Sequence, residues 1–173
     1  GELEFRWKDG AELGTIVGTG LNIDARSELL CELNGLTYTL LSSQEKFRLE
    51  KANKYNVKCA IIQGKFEKQT FTGTGESMQS YNIQTSSLTD HSKVSVSVNG
   101  EKWTNHDSMY DLLNNEKAYI LKTGISGGLD VYFGTGNFGA LPPAGSSIEI
   151  EYIKHSGFQG NLDDAQDITF KWD

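Results

Sequence analysis

The side chains of this chain that could do chemistry are three histidines, two cysteines and a short acidic cluster. His91, His106 and His155 each sit among polar turn residues, and Asp90-His91 and His106-Asp107 place a carboxylate next to an imidazole. An acid–base or metal site needs such groups to converge from separate segments. Neighbours on an extended chain point to opposite faces, so adjacency alone supplies no geometry, and exposed loop histidines are the expectation. Asp163, Asp164 and Asp167 offer hard oxygen ligands suited to calcium. They lack the spacing and central glycine of an EF-hand loop, and three carboxylates fall short of the roughly 6 to 8 ligands that calcium takes, so a solvated acidic turn is expected. Cys31 and Cys59 lack C-x-x-C spacing and read as core thiols; a bridge between them requires Cα atoms within about 7 Å. There is no H-E-x-x-H helix or P-loop lysine. No catalytic, cofactor-binding or metal-binding residue is therefore assigned, and a non-enzymatic role is expected.

One motif remains. Gly134, Gly136 and Gly139 satisfy the G-x-G-x-x-G spacing of a dinucleotide fingerprint, in which a strand feeds a helix whose N-terminus cradles a pyrophosphate. The context argues otherwise. Pro142 and Pro143 hold the chain extended just past the glycines, and Gly145 marks a second turn. Ile148, Ile150 and Tyr152 then alternate with Glu149 and Glu151, the period of a strand with one buried face. Gly134, Gly136, Gly139, Pro142 and Gly145 read as a structural corner between two strands. Phe138 lies within it, either tucked into the end of the sheet layers or presented to a partner as a contact residue. Tucking is the expectation, because loops commonly plug themselves with their own side chains.

The order of residues around this corner resembles the J-like wedge proteins of contractile phage-tail baseplates and related injection machines. The likeness lies in a Val-rich alternating strand (Val94, Val96, Val98), Trp103 shortly after it, Phe133-Gly134-Thr135-Gly136, the Gly139 to Pro142 corner, a strand from Gly145 to Tyr152, and Gly157-Phe158-Gln159-Gly160-Asn161. It covers residues 93–161 and, more loosely, residues 36–90. The resemblance implies a structural component of a baseplate wedge with sixfold arrangement, located in the virion or, before assembly, in the host cytoplasm. Its implied partners are other wedge proteins. Thr135 departs from the acidic residue common in the family between the two glycines, so a charge-based contact of that loop does not carry over.

The rest of the chain must position that corner. Its 173 residues suffice for one substantial core or two small lobes. Nineteen glycines against two prolines, with 7 Tyr, 8 Phe and 3 Trp, suit a sheet protein with many tight turns. The formal net charge of −7 runs against nucleic-acid and anionic-membrane partners, which need clustered Lys and Arg. No apolar stretch approaches a membrane span. Gly1 in place of Met suggests an excised piece of a longer chain, expected to be monomeric by itself.

The expected fold class is all-β with minor helix: antiparallel sheets forming a sandwich or partly open barrel, organised as one module over residues 1–173 with sub-lobes at 1–92 and 93–173. Leu3, Phe5 and Trp7 alternate with charged residues at one end, as Ile168, Phe170 and Trp172 alternate with Thr169, Lys171 and Asp173 at the other, and the two end strands are expected side by side in one sheet or flanking the same hydrophobic cluster. Asn34-Gly35 and Asn99-Gly100 signal hairpin turns. Residues 24–33 fit either helix or strand, residues 88–92 read as a turn, and Asn105 or Asp107 is expected to cap a single helical turn through Leu113. Gly-Thr-Gly occurs at residues 18, 73 and 134 without a fixed period, which reads as recurring turn chemistry. The alternative function is a carbohydrate-binding sandwich using Trp7, Trp103, Trp172 or Tyr residues as sugar platforms; the alternation of Trp7 and Trp172 with core positions weighs against it. An all-β hydrolase is the least favoured reading.

Overall fold

The structure is a computed structural model. It describes residues 2–6, 21–24, 26–41, 46–49, 56–83, 88–89, 93–124, 128–157 and 170–172. The expectations for Trp7, Leu13 to Gly20, the first Gly-Thr-Gly, Tyr55, His91, Asn161, Asp163, Asp164, Asp167 and Ile168 fall outside these residues.

Among the described residues the strands run in the order β1 (Glu2–Arg6), β2 (Leu21–Asp24), β3 (Glu28–Cys31), β4 (Thr37–Leu41), β5 (Lys46–Leu49), β6 (Asn56–Gln63), β7 (Lys65–Thr72), β8 (Ser80–Ile83), β9 (Leu88–Thr89), β10 (Ser95–Val98), β11 (Glu101–Lys102), β12 (Thr104–His106), β13 (Ala118–Thr123), β14 (Leu129–Phe133), β15 (Ser147–His155) and β16 (Phe170–Trp172). A 3-10 turn covers Met109–Asp111. No helix among the described residues is long and apolar enough to cross a membrane. The fold is all-β and sandwich-like, and among the described residues no sheet closes into a barrel. The chain divides into two compact units, Gly1–Lys65 with Phe158–Asp173, and Phe66–Gly157. The residue 92/93 boundary expected between sub-lobes falls inside the second unit.

In the first unit the strand order is β1-β6-β4-β3-β16, with β2 and β5 paired separately. Within residues 24–33, Glu28–Cys31 is strand because it is paired on both sides, with β4 and with β16. The β3–β4 hairpin turns at Gly35, whose φ is +69°, and the Asn34 side chain accepts from Leu36 N at 3.0 Å. Leu29, Cys31, Tyr38, Leu40 and Ile61 are buried, and Cys31 is a free thiol. The two end strands do share a sheet, but they form its opposite edges with three strands between them. The expectation of direct pairing is thus corrected: β6 takes the place beside β1, and β3 the place beside β16.

The second unit packs two sheets face to face. One runs β11-β10-β15-β7, with β9 also paired to β15, and the other β12-β13-β14-β8. The β12–β13 pair is parallel, within sheets whose β10–β15, β13–β14 and β14–β8 pairings are antiparallel. Period-two alternation explains the core: Val96, Val98, Ile148, Ile150 and Tyr152 face Ile83, Tyr119, Leu129, Val131 and Phe133 across the sandwich, with Trp103 in the same cluster. The rings of Phe71, Tyr81, Phe133 and Trp103 form a continuous chain, with successive centroids 5.0, 6.0 and 5.4 Å apart. Asn99 and Gly100 both have positive φ, the conformation of a two-residue hairpin turn. Two expectations are corrected here. Leu88–Thr89, expected as a turn, pairs with Lys154 and His155. The helical turn is capped by Ser108, whose Oγ accepts from Tyr110 N at 3.3 Å, because Asn105 is committed to β12 beside β13.

Candidate functional site

The glycine-rich corner starts where β14 ends at Phe133. Its shape follows from one close backbone approach. A Cβ at Gly134 would lie 2.4 Å from the carbonyl carbon and oxygen of Gly139 and 2.6 Å from the Phe138 oxygen, so only glycine lets the bend double back. Thr135 N then donates to Phe138 O at 2.8 Å and Gly136 N to Gly139 O at 3.0 Å. The Thr135 hydroxyl accepts from Phe138 N at 3.0 Å. No helix follows Gly139; residues 140–146 are irregular and lead into β15, so the residues beyond the glycines are not those of a dinucleotide fingerprint.

Two neighbouring loops lock the corner. On one side, Gly139 N donates to Leu113 O at 3.0 Å and Ala140 N to Glu116 O at 2.7 Å, while Glu116 Oε2 accepts from Leu113 N at 2.9 Å and Oε1 lies 3.1 Å from His106 Nε2. On the other, Gln79 is a buried polar side chain at 7% exposure. Its Nε2 donates to Pro142 O at 2.9 Å and to Glu76 O at 3.3 Å. Its Oε1 accepts from Thr74 N at 3.0 Å and from the Tyr81 hydroxyl at 2.9 Å. Gly73 N donates to Ser146 O, and Gly145 N to Gly73 O, both at 2.8 Å. Met78 N donates to Gly134 O at 3.0 Å. The second and third Gly-Thr-Gly triplets therefore meet at the same end of the sandwich. Gln79 carries no sequence signal of its own; it precedes β8 as an ordinary polar residue.

Phe138 does not plug this end. Leu112 occupies that place, buried with its Cδ1 2.9 Å from where a Gly139 Cβ would sit. Phe138 is 43% exposed and packs edge-on against Tyr110, itself 83% exposed, with centroids 6.0 Å apart and planes at 70°. Leu113, whose carbonyl accepts from Gly139 N next to Phe138, is 75% exposed. Sequence reasoning singled out Phe138 but missed Tyr110 and Leu113, which lie in a segment of mixed polar and apolar residues without periodicity.

The remaining candidates do not converge. His106 is on β12 and pairs with Glu116, whereas His155 closes β15 in the other sheet and its Nδ1 accepts from Gly157 N at 3.1 Å. Among the described residues no group of three or more His, Cys, Asp or Glu side chains is placed to hold a metal ion. The Trp103 ring is buried against Phe133 and offers no exposed face to a sugar. Burial pushes the phenols of Tyr38, Tyr81, Tyr119 and Tyr152 above the usual tyrosine range, with Glu67 adding to the shift at Tyr152. These hydroxyls serve structure: Tyr119 donates to Val94 O at 3.0 Å, and Tyr152 sits between Gln69 and Glu67 at 2.9 and 3.1 Å. What the corner can do chemically is present apolar surface from a rigid support. No family model, no curated protein and no solved structure matches the chain.

Proposed function

We propose that this chain is a non-enzymatic structural component of a contractile phage-tail baseplate wedge, making protein–protein contacts with other wedge proteins. The observation that carries the reading is the corner from Phe133 to Tyr152. The motif order that resembles the J-like wedge family runs through it, and its geometry is that of a braced bend between two packed sheets with aromatic rings on its outside. A rigid bend with exposed rings suits a contact module, since a preordered surface loses little conformational freedom on association. The acidic balance of the chain, −7 overall, favours protein partners over nucleic acid.

Mass spectrometry of purified contractile particles from the source that encodes this chain tests the proposal. Stoichiometric presence in multiples of six supports it, and absence from particles that are otherwise complete overturns it. By itself the chain should run as a monomer in light scattering, because wedge contacts gain strength from several simultaneous partners.

A further inference from the structure

We propose that Tyr110, Leu113 and Phe138 form a docking patch for a basic segment of a protein partner, in which arginine or lysine side chains reach the carboxylates around the rings. This rests on the reading of the chain as a protein-contact module, not on the identity of the assembly.

The patch is built rather than accidental. Phe138 is held by the Thr135 hydroxyl and by the reciprocal bonds of residues 134–139, and Leu113 O accepts from Gly139 N, so both flanks of the patch belong to one stitched unit. Tyr110 follows the Ser108 cap. Large apolar side chains exposed on rigid backbone are the usual anchors of protein interfaces. The charge carried by the two segments that bear them has one sign. Asp107 and Asp111, within three residues of Tyr110 in sequence, are exposed, and neither residues 104–116 nor residues 133–146 contain a lysine or arginine. The nearest cation in sequence, Lys117, is engaged by Glu101 at 2.6 Å. A partner approaching the rings therefore meets carboxylates, and its complement is positive; an arginine or lysine can also lie over the Tyr110 face. A second copy of the chain fits poorly, because a twofold contact through this patch would set Asp107 and Asp111 against their own counterparts. A sugar fits poorly too: rings at 70° present no common plane for stacking.

The test is a nuclear magnetic resonance titration of the 173-residue chain with a Gly/Ser peptide carrying spaced arginines and leucines, beside the same peptide with glutamates in place of the arginines. The expected result is saturable shifts at Tyr110, Leu113 and Phe138 with the arginine peptide only, weakened about tenfold in Tyr110→Ala/Phe138→Ala and also in Asp107→Lys/Asp111→Lys. Both variants alter exposed side chains and should keep the parent melting temperature. Shifts elsewhere, equal response to the glutamate peptide, no saturable response, or affinity unchanged in Tyr110→Ala/Phe138→Ala would each overturn the patch, as would a dimer that Tyr110→Ala dissociates. The particle experiment separates the two proposals. If wild-type chain is in particles and the Tyr110→Ala/Phe138→Ala chain enters them equally well, the patch falls and the baseplate reading stands. If the wild-type chain is absent from particles while the peptide shifts hold, the reverse is true.

Discussion

Gln79 Nε2 donates to the carbonyl of Pro142 at 2.9 Å, joining two loops 63 residues apart in sequence. With its oxygen accepting from Thr74 N and Tyr81, this one buried amide serves both sides of the corner. Gln79→Leu keeps the bulk but leaves the Thr74 amide and the Pro142 carbonyl without their partner. It should cost about 2–3 kcal/mol, read as a lower urea midpoint with an unchanged slope.

Two glycine substitutions should separate crowding from backbone conformation. A Cβ at Gly134 meets backbone at 2.4 Å, whereas Gly100 has open space around it and a φ of +79°. Gly100→Ala should therefore cost about 1–2 kcal/mol from the left-handed conformation alone. Gly134→Ala should cost more than that and should also broaden the resonances of Phe138, because the bend must open. Equal melting temperatures for the two variants would contradict the geometry.

Two phenylalanines only five residues apart should behave oppositely. Phe133 is fully buried and touches the rings of Tyr81 and Trp103, so Phe133→Ala should lose about 3–5 kcal/mol. Phe138→Ala removes a ring that is nearly half exposed and should stay within about 0.5 kcal/mol of the parent. Chemical denaturation of both variants checks the contrast.

Alkaline pH should weaken the fold in a defined window. Tyr38, Tyr81, Tyr119 and Tyr152 are raised by burial above the ordinary value of about 10. The unfolded chain therefore releases these protons first. Their contribution is complete below about pH 10 and is lost as pH climbs through the raised folded values. The melting temperature should be flat with respect to these groups from pH 8 to 9.5 and fall beyond it, with the fall reduced in Tyr119→Phe.

The parts of the fold that were legible in the sequence are those where local chemistry and tertiary position agree. Asn99-Gly100 predicts its hairpin because the turn needs positive φ at both residues, and Ile148, Ile150 and Tyr152 predict β15 because one face is core and the other carries Glu149 and Glu151. Where position is decided by a distant partner, the sequence was silent or misleading. Residues 28–31 are strand only because β4 and β16 flank them. Ser108 became the cap because Asn105 was drawn into parallel pairing with Tyr119. Phe138 looked like a plug, yet Leu112 arrives from another loop to fill that space. The outer patch escaped notice because Tyr110 and Leu113 join Phe138 only through the hydrogen bonds of Gly139 and Ala140.

The placement of β1 and β16 on the two rims of one sheet has a bearing on biosynthesis. A ribosome delivers every strand of that sheet except the last before it makes residues 66–157, which form a unit of their own. That middle portion can mature while the sheet still lacks its closing strand. A released chain that ends before Phe170 should therefore carry a protease-resistant middle and a cleavable beginning.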